Sequence, residues 1–264
     1  MDLGIEGKTA LVAASSRGLG KAVAMRLAVE GARVVVCARN SSDVDACVAE
    51  IHAAAGDNSA IGLSGDVTNI ADIERIVATT QQQLGGVDIL VNNAGGPKPG
   101  MFDDLTDEDW QAAFDLNLMS TIRFTRAVLP HMRAQQWGRV INVTSYSVKQ
   151  PIEQLMLSNS VRLGVVGWAK TLANELASEG VLINSVCPGW TFTERVVSLL
   201  DARAEASGRD PADVRNDIVA AIPMGRMGKP EEFADAVAFL ASQRASYITG
   251  VALAVDGGTV QSAL

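Results

Sequence analysis

Short runs of β-branched and apolar residues alternate along this chain with longer stretches of helix-forming sequence. The runs at 9–13, 33–37, 87–91, 139–143, 181–186 and 251–255 predict buried strands, with a weaker one at 60–63. Between them, helical patterns occupy 21–29, 44–54, 70–84, 108–133, 163–177 and 230–241. Strand and helix in strict alternation imply a parallel sheet, because a parallel neighbour can be reached only through a crossover. The pattern therefore predicts an α/β fold, a doubly wound seven-stranded parallel sheet with helices on both faces. No internal repeat or low-complexity linker divides it, so one domain over 1–264 is expected. The least regular piece, about 189–223, follows the sixth strand run and is read as a substrate lid.

Composition narrows the function classes. The 264 residues carry 22 Lys+Arg against 30 Asp+Glu, a net charge of -8, with no basic run that could track a phosphate backbone, so nucleic acid is not an expected partner. The polar, acidic start Met1-Asp2-Leu3-Gly4-Ile5-Glu6 does not resemble a signal peptide, and no apolar run approaches the ~18 residues of a membrane span. Three cysteines without a Cys-x-x-Cys pair argue against a disulfide framework and a zinc cluster, and a cytoplasmic protein with no metal is expected. Only two tyrosines, Tyr146 and Tyr247, and two histidines, His52 and His131, are available to any proton-transfer chemistry.

After the first strand run comes Ala13-Ala14-Ser15-Ser16-Arg17-Gly18-Leu19-Gly20, leading into a helix. Glycines there let the backbone approach a diphosphate resting on the helix N-terminus. A tight strand-to-helix turn would leave the same trace, but the second strand run ends at Arg39, where a basic side chain would meet a 2′-phosphate and an acidic one would bind the ribose. Arg17 and Arg39 thus favour NADP, with NAD the lesser expectation.

The whole chain resembles the single-domain branch of the short-chain dehydrogenase/reductase family. Its Thr-Gly-x-x-x-Gly-x-Gly corresponds to residues 13–20, with the first two positions changed to Ala13 and Ala14. Asp66 and Val67 match the segment that contacts adenine, and Asn93, Ala94 and Gly95 lie in the intact Asn-Asn-Ala-Gly that shapes the cofactor cleft. Pro188, Gly189, Thr191 and Thr193 match the segment flanking the nicotinamide. The stretches 223–232, 246–250 and 255–258 are very similar to β-ketoacyl-carrier-protein reductases of that family. The resemblance implies a Rossmann-type fold, a cofactor cradle made of Ser15, Ser16, Arg17, Gly18, Leu19, Gly20 and the residues above, and a homotetramer or homodimer. Ala14 is a physical departure, since a methyl group disfavours positive φ where the family keeps glycine.

Family members use an asparagine, a serine, and a Tyr-x-x-x-Lys pair whose phenol moves the proton. Here Asn117 and Ser145 supply the first two, but the register set by Gly164, Gly167 and Lys170-Thr171-Leu172-Ala173 puts Ser158 and Arg162 where tyrosine and lysine belong. A four-residue spacing keeps both on one helix face, yet a serine is a far weaker acid than a phenol and arginine does not deprotonate. The pair resembles a divergent branch whose tetrad breaks the rule. Tyr146 and Lys149 are the remaining candidate donors, Tyr146 being better suited to packing under the next loop and Lys149 equally suited to a solvated loop. Arg162 is expected to hold a substrate or cofactor anion, or to be structural; Glu194 and Arg195 open the lid, whose Trp190, Phe192, Leu199 and Leu200 suggest a partly apolar ligand.

Three functions are open at this point: an NADP-dependent reductase of a 3-oxoacyl or other ketone with a non-standard proton donor; a lyase, decarboxylase or isomerase in the same cleft; and a non-catalytic cofactor-binding protein.

Overall fold

The computed structural model describes residues 1–262; the last two residues of the expected domain, 263 and 264, lie outside the described residues. Seven strands, β1 (Thr9–Val12), β2 (Arg33–Ala38), β3 (Ala60–Ser64), β4 (Ile89–Asn92), β5 (Gly138–Val143), β6 (Val181–Pro188) and β7 (Ala252–Val255), form one sheet in the order β3-β2-β1-β4-β5-β6-β7. Every neighbouring pair is parallel.

The alternation of side chains along each strand sorts the core into two layers. Ala10, Val12, Val34, Val36, Ile89, Val91 and Ile141 pack on α1 (Gly18–Val29), α2 (Ser41–Ala55) and a late helix over Pro230–Ala241. Leu11, Val35, Leu90 and Val140 face the other way. They pack on α3 (Ile70–Leu84) and on helices carrying Phe124, Val128, Ala169 and Ala173. Both faces of the central strands are therefore dry, which is why β1, β4 and β5 read as continuous buried runs.

The expected continuous helix over 108–133 is three pieces. After α4 (Asp107–Ala113) a π-helical segment, Phe114–Met119, precedes α5 (Ser120–Gln135). Apolar periodicity cannot reveal the one-residue widening of a π turn, and such turns concentrate at functional sites; this one carries Asn117. The next helix, α6 (Met156–Leu176), begins two turns earlier than its apolar run, so Ser158 and Arg162 both lie on it. Two helices, α7 (Glu194–Ser207) and α8 (Pro211–Ala220), make up most of the expected lid. They close over a small core of their own, Leu200, Ala204, Val214, Ile222 and Met227, before α9 (Pro230–Ala241) returns the chain to the sheet.

The winding reverses between β1 and β4, and a doubly wound sheet opens its ligand crevice beyond the carboxyl ends of the strands at that point. The loops after β1, β4, β5 and β6, which hold the singled-out motifs, meet there. Cys37, Cys47 and Cys187 are buried free thiols, and burial pushes the Cys37 thiol up to about 12. No helix among the described residues is long and apolar enough to cross a membrane, and no group of three or more potential metal ligands occurs among them.

Candidate active site

The loop after β1 is held from behind by Asn93, whose Nδ2 donates to the carbonyls of Ala13 and Ala14, both at 3.1 Å. Gly20 is the cradle's tightest point: a Cβ there would sit 2.5 Å from the Ala14 carbonyl oxygen and 2.8 Å from Asn93 Nδ2. The N-terminus of α1 has neither a side-chain cap nor an acidic residue in its first turn. Its free amides and positive dipole end are thus left for an anion. Ser16 and the exposed Arg17 make no side-chain hydrogen bond or ion pair among the described residues, nor does Arg39 just beyond β2. These features fit the diphosphate and 2′-phosphate of NADP.

Other members of the predicted set do different work. The Ser15 hydroxyl points inward, donating to Val12 O and accepting from the Cys37 amide, so it fastens β1 to β2 and is not open to a cofactor. Leu19 packs against the core and Val67 is buried. Asp66 Oδ1 caps the turn through Thr68, leaving the second oxygen uncommitted. Gly189 approaches the Asp256 backbone so closely that a Cβ would lie 2.5 Å from Asp256 Cα, and Thr191 is buried in a bridge to Gly228, which makes both structural. Pro188 closes β6 beside Val255 of β7. Thr193 caps α7 by accepting from the Val196 amide and lies against Gly18, bringing the start of α7 to the start of α1.

Ala14 adopts φ 46°, the left-handed conformation expected to be glycine's. The methyl group costs roughly 1 kcal/mol there. Ala14→Gly is accordingly expected to raise unfolding stability by up to about 1 kcal/mol, measured by urea denaturation; an unchanged or lower midpoint would show that the loop is unstrained.

At the reaction end, Asn92 Nδ2 bridges Thr125 Oγ1 and Asn142 Oδ1, each at 3.0 Å, and so locks the ends of β4 and β5 together. Arg162 then spans the same two ends. Its Nη1 donates to Val143 O (3.0 Å) and Thr144 O (3.2 Å), and its Nη2 to Gly95 O (3.3 Å) and Ala94 O (3.4 Å). Burial lowers it to about 10, still protonated at neutral pH, and no carboxylate pairs with it among the described residues. Arg162 is thus held by four carbonyls and without an ion pair. Asn117 Nδ2 donates to the same Gly95 carbonyl at 3.0 Å.

Ser145 is half-buried and its oxygen accepts from the Ser147 amide at 3.1 Å, so its own hydrogen is free. Ser158 is 6% exposed, yet its hydroxyl has no partner among the described residues and is not sealed from solvent. Tyr146 is buried beside the Trp190 side chain, whose ring lies 5.2 Å from the Arg203 guanidinium, and burial raises its phenol. It thus packs between the loop after β5 and the segment that follows β6. Lys149, half-buried at the end of the same short turn, forms no ion pair among the described residues, and its charge, like that of Arg162, acts on the Cys187 thiol at the end of β6.

Comparison with known proteins bears on this arrangement. A family model described as enoyl-(acyl carrier protein) reductase matches residues 13–260. A 3-oxoacyl-(acyl-carrier-protein) reductase from Vibrio cholerae is 39% identical over 256 residues, covering 97% of this chain and 98% of that protein. The chain belongs to the short-chain dehydrogenase/reductase family. A D-β-hydroxybutyrate dehydrogenase from Cupriavidus necator is 37% identical over 258 residues, covering 97% and 99%. The structure of L-sorbose reductase from Gluconobacter frateurii with NADPH and L-sorbose superposes with a TM-score of 0.94 at 31% identity, covering 99% of this chain and 100% of that one. The Rossmann-type sheet and the oxidoreductase class are thus those of the family.

Within this short-chain dehydrogenase/reductase, two features escaped the sequence. One is the Tyr146–Trp190 contact, for which neither residue carries a motif signal. The other is Arg195, whose guanidinium lies across Gly96: a Cβ on Gly96 would be 3.2 Å from its Nη2. A glycine immediately after Asn-Asn-Ala-Gly was the available clue to a close approach. His52 Nε2 lies 2.9 Å from Ala60 O and His131 Nε2 3.4 Å from Asp88 Oδ1.

Proposed function

We propose that the chain is an NADPH-dependent carbonyl reductase, acting on a 3-oxoacyl or other ketone, in which Lys149 is the proton donor. The observation that carries this reading is the commitment of the other candidate donors: the Tyr146 phenol is buried beside Trp190, where burial raises it, and Arg162 is held by four carbonyls, whereas the Lys149 ammonium is unpaired among the described residues. Ser145 and Ser158 donate to the carbonyl oxygen and Asn117 positions the Gly95 loop beside it. When bound, the cofactor supplies the hydride. Lys149 then gives a proton to the developing alkoxide, producing the alcohol, and regains one from solvent. Orientation of the reactants provides much of the rate even with a modest acid.

Ser16, Arg17, Gly18, Gly20, Arg39, Asp66, Asn93, Ala94, Gly95 and Thr193 form the cofactor site in this reading. Arg39 and Arg17 select NADPH over NADH, so Arg39→Asp should reverse the preference, weakening NADPH by about tenfold or more. Fluorescence titration with both cofactors checks this, and retained NADPH selectivity would assign the 2′-phosphate elsewhere. The reading takes the chain as one domain with 189–223 as lid, in the reducing cytoplasm that its buried free thiols suit. It also takes the chain as a homotetramer or homodimer, supported by the exposed Val251 and Leu253 beside and on edge strand β7 and testable by sizing chromatography.

A further inference from the structure

We propose that Asn159, on α6, is a positioning residue for the reduction, holding in place the short turn that Ser145 opens and Lys149 ends. The inference rests on the reductase reading, which makes that turn part of the reacting end. The Asn159 carboxamide is paired with both main-chain groups of one residue. Its Nδ2 donates to Ile152 O at 2.9 Å and its Oδ1 accepts from the Ile152 amide at 3.3 Å. Ile152 lies three residues beyond Lys149, so Asn159 fastens the chain as it leaves the turn. The same helix fastens the chain as it enters, where Arg162 donates to Val143 O and Thr144 O just before Ser145. Positions 159 and 162 are neighbours on the surface of a helix. One face of α6, which also carries Ser158, thus brackets the turn from both ends.

This pairing is not an ordinary helix cap. Leu155 opens α6 without a side-chain hydrogen bond, and Asn159 lies a full turn inside, its own amide bonded to Leu155 O at 2.8 Å. Its side chain holds a strained segment instead. Gln154 adopts φ 61°, in the left-handed region that favours glycine, within a turn closed by the Leu155 amide on Ile152 O at 3.3 Å. A conformation of that kind persists only where its surroundings over-determine it. Here they include the Asn159 pair and the Gly100 amide, which donates to Gln154 O at 2.7 Å and joins this segment to the loop after β4. Loss of the Asn159 pair therefore loosens the Lys149 end of the turn and the Gly100 loop together. The cofactor cradle at the start of α1 has its own bonds to Asn93 and is left intact.

The test uses Asn159→Leu, which keeps the size but neither bond, and Asn159→Asp, which can restore both only when protonated. A carboxylic acid donates its O–H to Ile152 O and accepts from the Ile152 amide, whereas a carboxylate has no donor and sets a negative charge against that carbonyl. Asn159→Leu should lower kcat for ketone reduction by about tenfold to a hundredfold while NADPH Kd stays within a few-fold. With each rate taken relative to the wild type at the same pH, Asn159→Asp should match Asn159→Leu near about pH 8 and recover toward about pH 5. An unchanged kcat in Asn159→Leu, a flat pH ratio in Asn159→Asp, or a loss of NADPH affinity equal to the loss of rate would overturn the proposal. Amide hydrogen exchange of the NADPH-bound protein needs no turnover and separates this proposal from the reductase reading. In Asn159→Leu the segments around Ile152 and Gly100 should both exchange about tenfold faster than in the wild type. Unchanged exchange there refutes the clamp itself. Faster exchange in a protein whose wild type reduces no ketone overturns the reductase reading, and the role in reduction with it, but leaves the clamp standing.

Discussion

Replacing Arg162 by alanine should destabilise the protein by about 3–5 kcal/mol, among the largest effects of any single change outside the hydrophobic core. Four carbonyl oxygens, from Ala94, Gly95, Val143 and Thr144, turn toward this one guanidinium. Removing it takes this donor from all four, Gly95 O alone keeping Asn117 Nδ2, and each unsatisfied buried polar group costs on the order of 1–3 kcal/mol. Arg162→Lys keeps the charge but gives three donors on a single nitrogen, which cannot serve carbonyls on both sides of a planar fork. A smaller loss, about 1–3 kcal/mol, is expected. Urea denaturation measures both. Because Arg162 ties the cofactor loop to the end of the serine-bearing strand, affinity for NADPH and for a ketone should fall together in Arg162→Lys. A selective loss of substrate affinity with unchanged stability would return this residue to the anion-binding role expected from its position.

Lys149→Met should lower kcat for ketone reduction by about a hundredfold to ten-thousandfold while leaving NADPH affinity within a few-fold. Tyr146→Phe should act differently. Its phenol is buried beside Trp190, and burial disfavours the phenolate, so the proton it carries is not one the site can readily use. Removing the hydroxyl should loosen the packing of the loop after β5 against Trp190 and change KM more than kcat. The two variants thus separate a proton donor from a positioning residue. A collapse of kcat in Tyr146→Phe with near-normal turnover in Lys149→Met would reverse the assignment.

Much of the fold was legible because its sheet is parallel and dry on both sides: continuous runs such as Thr9-Ala10-Leu11-Val12 have no other stable use. Glycines marking close approach were equally legible, and Gly20 and Gly189 are both positions where a Cβ meets backbone. Ala14 was flagged as a departure because only its backbone angle, not its chemistry, could be wrong for the loop, and the angle is left-handed. What was hidden depends on direction. A motif position does not say whether a hydroxyl points out, as Ser16 can, or in, as Ser15 does. Nor could it show that Arg162 finds carbonyls in place of an anion, since backbone acceptors leave no sequence signature. The π turn at Phe114–Met119 was invisible for a related reason: it changes which residues face the cleft without changing which are apolar.

The central claim is that hydride chemistry survives the exchange of Tyr-x-x-x-Lys for Ser158 and Arg162. Incubating the protein with NADPH deuterated at the transferable C4 position and a panel of 3-oxo acids, 3-oxoacyl thioesters and simple ketones tests it most directly, with the product analysed by mass spectrometry. One deuterium at the carbinol carbon, in step with NADPH consumed, is the predicted result. NADPH that binds tightly while no member of the panel gains the label would contradict it.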